Sequence, residues 1–202
     1  MIIRLRYNLF ITNFLKQRLV MKNLPTSITI SRFLFAIVVS FLLFINSDIA
    51  TILAVIMFIL GSLSDALDGA FARRQSAQSK FGAFLDPIAD KFLVFLVLIS
   101  LVANRDSILL FIITIFIISR EIFIMSLREW VATSDNGKIV KVSTLGKIKT
   151  IIQMAGISLV IGSPLIKGFF YFEISIIILI LGTLISYYSA FEYFKKSFSY
   201  IK

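Results

Sequence analysis

The chain has 202 residues, and 58% of them carry apolar side chains against roughly 45 to 50% in ordinary soluble domains, which excludes a water-soluble globular domain. Neither cysteine nor histidine occurs, so disulfides, thiolate metal sites and imidazole bases are excluded, and carboxylates remain for acid-base work and metal binding. A net charge of +10 alone would suit a nucleic-acid partner, but the cations collect in alternate loops and at both ends of the chain; anionic lipid headgroups are expected there, and no nucleic acid.

Residues 1–22 set Arg4, Arg6, Lys16, Arg18 and Lys22 among Ile, Leu and Phe, the composition of an amphipathic helix lying on a membrane surface. A secretory signal is the weaker reading, because Thr12 and Asn13 interrupt its apolar core and no small-residue cleavage site precedes Lys22. Initiation at Met21 is a third reading. Residues 1–22 are therefore set apart from one membrane domain over 23–202.

A spanning helix needs about 20 mostly apolar residues, and six segments approach this, at roughly 28–46, 49–64, 88–104, 107–126, 150–166 and 169–191. The second and third are short, and are expected to run on into the acidic stretch between them. Assigning residues 4–32, 73–91, 120–149 and 195–202 to one side places 19 of 21 Lys and Arg there, leaving only Arg105 and Lys167 opposite. The expected fold class is all-α: an integral membrane six-helix bundle with cytoplasmic termini. Trp130, Tyr187, Tyr188 and residues 169–172 suit either an interfacial aromatic belt or packing.

Four carboxylates fall where the second segment meets the third: Asp65, Asp68, Asp86 and Asp90. A charge at bilayer depth costs about 2.5 to 3.5 kcal/mol on insertion scales, so four together call for water or cations. On helices, Asp65 and Asp68 share one face, as do Gly82, Asp86 and Asp90. At about 4 Å and an effective dielectric near 20, a like-charge pair costs roughly 4 kcal/mol, so the cluster should take up protons or divalent cations. Hard oxygen ligands suit Mg2+ or Mn2+, and four acids can hold two ions. Gly69 and Ala72 lie on the face of Asp65 and Asp68, leaving room for something large such as a metal-bridged diphosphate, with Arg73 as a donor to its oxygens. Pro87 is expected to kink the third helix one turn before Asp90. Blander readings stand beside these: the small residues also suit helix packing, Arg73 the positive-inside pattern, and the acids a solvated helix end.

A second cluster follows. Arg120 and Arg128 are about 80° apart around a helix and can converge on one small anion, while Glu121 lies close to the face of Arg128 and is expected to orient it. Lys147 and Lys149 are two apart and are not expected to face the same way. All four cations also suit a membrane surface.

The spacing D-x-x-D-G-x-x-A-R, eight residues, then G-x-x-x-D-x-x-x-D resembles the signature of the CDP-alcohol phosphatidyltransferase family, with Asp65, Asp68, Gly69, Ala72, Arg73, Gly82, Asp86 and Asp90 at its eight positions. The segment from Pro25 to Arg32 is similar to the family's lead-in to its first membrane helix, with Thr26 where Asn is frequent. Residues 119–130 and 145–153 resemble the branch that uses glycerol 3-phosphate, in which the chain starts just before the Pro-Thr element. The resemblance implies six membrane helices, a homodimer in the bacterial inner (plasma) membrane, and a two-metal site facing the cytoplasm. It also implies transfer of a phosphatidyl group from CDP-diacylglycerol to glycerol 3-phosphate. In that scheme Asp65, Asp68, Asp86 and Asp90 hold Mg2+ or Mn2+, and Asp90 is the base. Asp68, Gly69, Ala72, Arg73 and Gly82 bind the CDP moiety, and Arg120, Arg128, Lys147 and Lys149 bind the acceptor's phosphate. Another acceptor (serine, inositol phosphate or phosphatidylglycerol) is the alternative within the family, and a cation transporter the distant alternative outside it.

Overall fold

A computed structural model describes residues 30–75, 80–133, 144–166 and 170–201, without the side chains of 65–75, 80–84, 86, 144, 145, 147 and 199–201. The amphipathic segment 1–22 and residues 25–29 of the lead-in lie outside the described residues. Among the described residues six α-helices follow one another: α1 (Ile30–Leu43), α2 (Asp48–Gln75), α3 (Lys80–Asn104), α4 (Ile108–Thr133), α5 (Thr144–Gly162) and α6 (Tyr171–Ile201). A short 3-10 turn, Ser163–Leu165, follows α5. No strand occurs among the described residues.

Among the described residues four helices contain stretches long and apolar enough to cross a membrane: Pro87–Asn104, Ile108–Thr133, Ile148–Leu165 and Tyr171–Phe198. The apolar parts of the first two helices, Ile30–Leu43 and Asp48–Ser64, are shorter. The outer surface is apolar, with Phe41 and Ile49 each 72% exposed and Ile108 and Ile151 each 70% exposed, the inverse of a water-soluble surface. This is a membrane protein. Several buried hydroxyls bond to their own helices, as with Ser100 to the Leu96 carbonyl (2.9 Å) and Thr183 to that of Leu179 (2.8 Å), because hydrocarbon offers no other partner.

As expected, α2 and α3 run on through the acidic stretch. Pro87 lies inside α3. Three other helices outrun their apolar segments: α4 reaches Thr133, α5 begins at Thr144 and α6 extends to Ile201. The extensions persist because they remain amphipathic; Leu127 and Val131 are buried beyond the point where the apolar run stops.

Close approach of backbones draws the helices together. A Cβ at Gly156 would stand 3.2 Å from Leu179 Cα, and one at Gly182 would stand 3.3 Å from the Gln153 nitrogen, so α5 and α6 meet through small residues on both. The central core joins Ala36 and Val39 of α1, Phe58 of α2, Leu93, Val97 and Leu101 of α3, Leu110 of α4, Ile157 and Val160 of α5 and Leu179 of α6. Ser107 caps α4 by accepting from the Leu110 N–H at 3.3 Å.

Candidate functional site

The acidic motif sits on the adjoining ends of α2 and α3. These helices pack tightly at Gly61, where a Cβ would stand 3.0 Å from Leu93 Cδ2. Asp65 is one turn beyond Gly61 and Asp90 three residues before Leu93, so the backbone sets these two acids at one level. Asp68 and Asp86 each lie about one turn (roughly 4.5 to 6 Å) further along, toward the α2–α3 connection. The side chains of Asp65, Asp68, Gly69, Ala72, Arg73, Gly82 and Asp86 lie outside the described residues, and Asp90 alone of the four acids has its side chain described. Fully buried Arg32 on α1 donates from Nε to Ser64 Oγ at 3.2 Å, next to Asp65. Among the described residues no three acidic, His or Cys side chains form a metal-binding group. The motif as a whole nevertheless suits divalent ions: it has only hard oxygen donors, and two facing helices carry them at matched levels.

Beside Asp90 opens a cavity of about 240 Å3 between α3, α4, α5 and α6. Helix α3 contributes Asp90 and Lys91, α4 Arg120, Glu121 and Arg128, and α5 Gly146, Lys149 and Thr150. From α6 come Ser189, Glu192, Tyr193 and Lys196. Among the described residues, five cations face three carboxylates (Asp90, Glu121 and Glu192), a net charge of +2. Arg120 and Arg128 thus do share one cavity. Arg120 is 6% exposed and fixed twice, donating from Nε to the Ser186 carbonyl (3.0 Å) and from Nη1 to Glu121 (2.8 Å). Lys149 is buried and donates to Glu121, whereas the side chain of Lys147 lies outside the described residues.

Glu121 does not orient Arg128 as the helical spacing predicts. Its Oε1 takes Arg120 and Lys149, and its Oε2 takes Lys91 at 2.9 Å. The Lys91 side chain of α3 and the Lys149 side chain of α5 both reach the carboxylate, whereas Arg128 lies with its Cζ 5.7 Å from the centre of the Tyr193 ring on α6.

The family model of CDP-alcohol phosphatidyltransferases matches residues 22–188, which span the acidic motif and most of the cavity wall. The chain belongs to the CDP-alcohol phosphatidyltransferase family. Proteins named CDP-diacylglycerol–glycerol-3-phosphate 3-phosphatidyltransferase are similar to it along most of their length. The one from Wigglesworthia glossinidia brevipalpis is 36% identical over 175 residues, covering 85% of this chain and 93% of the relative. That from Rickettsia bellii is 38% identical over 181 residues (88% and 98%), and that from Haemophilus influenzae 36% over 174 (85% and 91%).

This phosphatidyltransferase uses more of its chain around the cavity than motif spacing reveals. Lys91 counts in the sequence only as a cation, yet it bridges Asp90 (2.8 Å) and Glu121 (2.9 Å). The contribution of α6 has a faint signal: Ser189, Glu192, Tyr193 and Lys196 recur at three- and four-residue steps, the stripe of one helical face. Between α4 and α6 lies a second, apolar hollow of about 460 Å3, which shares Arg120 with the cavity and is lined also by Phe123, Tyr187, Phe191 and Phe194.

Proposed function

We propose that this chain transfers the phosphatidyl group of CDP-diacylglycerol to the primary hydroxyl of sn-glycerol 3-phosphate, releasing CMP, and is thus a phosphatidylglycerophosphate synthase of phospholipid biosynthesis. The observation that carries the choice of acceptor is the cavity beside Asp90. Its described side chains carry a net charge of +2, complementary to a phosphate monoester, which carries about −1.5 to −2 near neutrality. The names of the relatives point to the same reaction.

In this reading Asp65, Asp68, Asp86 and Asp90 would hold two divalent ions, Mg2+ or Mn2+. When bound, such ions neutralise the diphosphate and stabilise its departing charge. Asp68, Gly69, Ala72, Arg73 and Gly82 form the seat for CDP, with the Arg73 guanidinium donating to phosphate oxygens. Arg120, Arg128 and Lys149 grip the acceptor's phosphate, and Lys147 joins them on the ground of sequence resemblance. Fixing the acceptor by its phosphate turns a bimolecular encounter into a positioned one. Asp90 then takes the proton of the acceptor hydroxyl, whose oxygen bonds to the lipid-linked phosphorus while the bond from that phosphorus to the CMP oxygen breaks. The chain has no Cys or His, and the acceptor hydroxyl itself is the nucleophile, so no covalent enzyme intermediate is required.

The same reading takes α1 and α2 as spans alongside the four longer helices. It sets both termini and the α2–α3 connection on the cytoplasmic side of the inner membrane, in agreement with 19 of 21 Lys and Arg lying there. Family resemblance supports a homodimer. Residues 1–22 are assigned to an amphipathic surface segment and 23–202 to the catalytic domain.

The experiment supplies purified protein in detergent with labelled CDP-diacylglycerol, Mg2+ and, in turn, glycerol 3-phosphate, serine, inositol phosphate and phosphatidylglycerol. Release of CMP with glycerol 3-phosphate is expected. Release confined to any other acceptor overturns the assignment.

A further inference from the structure

Glu121 is 5% exposed on α4, and both of its oxygens are taken by cations from three helices: Lys91 of α3, Arg120 of α4 and Lys149 of α5. A buried carboxylate is tolerable only when paired, and three cations so close are tolerable only around an anion. The group is therefore mutually dependent. Its link to Asp90 is Lys91, a quarter exposed at the cavity wall, whose ammonium reaches Asp90 Oδ2 at 2.8 Å and Glu121 Oε2 at 2.9 Å. Charge-assisted bonds at both ends fix that ammonium, and with it the spacing between Asp90 and the cations gathered on Glu121.

We infer that Lys91 and Glu121 are positioning residues: they form a bridge that keeps Asp90 in register with the cations holding the acceptor's phosphate. The inference rests on the proposed acceptor site and extends it. An acceptor anchored by its phosphate presents its hydroxyl to Asp90 only if the anchor and Asp90 keep a set separation, and a displacement of about 1 Å can cost about 100-fold in rate. Through the bridge, binding of the acceptor and removal of its proton become linked.

The test compares Lys91→Met, Lys91→Arg, Glu121→Gln and the double variant Lys91→Met/Glu121→Gln, as full-length protein in detergent with saturating metal. Each single neutral variant is expected to raise the KM for glycerol 3-phosphate and lower kcat, reducing kcat/KM about 10- to 100-fold, the range for loss of a charge-assisted bond. The KM for CDP-diacylglycerol is expected to stay within about twofold, and Lys91→Arg to recover most of the loss. The double variant should be no worse than the poorer single by more than about twofold, since either change opens the same bridge. Multiplicative losses in the double variant, or equal rises in KM for both substrates, would overturn the inference. So would a fall in folded yield with unchanged kinetics in the folded fraction. The wild type separates this from the acceptor assignment: if it releases CMP with a different acceptor, the assignment fails, and the same comparison run with that acceptor still decides the bridge.

Discussion

The acidic end of α2 and α3 and the basic cavity beside it are built on opposite plans. The acids come from two consecutive helices and obey a short spacing, so one helix pair suffices to bring them level. The cations come from α3, α4, α5 and α6, and they converge only after four helices have packed. In the first region like charges accumulate and call for a cation. In the second, Glu121 is interleaved among cations and leaves a modest excess for an anion. One lesson is that a binding pocket of mixed charge can hide in a sequence that announces its acidic neighbour plainly.

If the two regions divide the work as proposed, damage to the acidic side should stop turnover and damage to the basic side should spare the nucleotide lipid. Dialysis against EDTA is expected to reduce CMP release to background and added Mg2+ or Mn2+ to restore it; activity that survives chelation removes the metals from the acidic side. Asp90→Asn should lower kcat by about 100- to 10,000-fold at saturating metal, the usual worth of a positioned base. Substantial CMP release by that variant would take the role of base away from Asp90.

On the basic side, Arg120→Ala should raise the KM for glycerol 3-phosphate about 10- to 100-fold, more than Arg128→Ala, because Arg120 is buried and also leaves Glu121 short of a partner. Equal changes in the KM for CDP-diacylglycerol would erase the distinction between the two regions. The smallest effect is expected at Tyr193. Tyr193→Leu should raise the acceptor KM about two- to fivefold by loosening Arg128, while Tyr193→Phe, which keeps the ring, should stay within about twofold of wild type.

Helices were the most legible feature, since apolar runs of membrane-crossing length allow little else, and the extension of α2 and α3 through the acids followed from their shortness. The ends of α4 and α5 were not legible from apolar runs, because Arg128, Glu129, Lys147 and Lys149 end the run without ending the amphipathic pattern. Glu121 shows the limit at the site itself. Spacing along one helix paired it with Arg128, and no intrahelical rule could report that Lys91 and Lys149 arrive from neighbouring helices.

By itself the sequence determined that this is a helical membrane protein whose acids and small residues recur at the intervals of a helical face, because period and hydropathy are properties of a single chain segment. Only the tertiary structure decided which cation meets which carboxylate, how Arg120 and Arg128 come to face one cavity, and that Lys91 bridges Asp90 and Glu121. Charge pairing acts over a few ångströms in space, and residues far apart along the chain come within that reach only when helices pack.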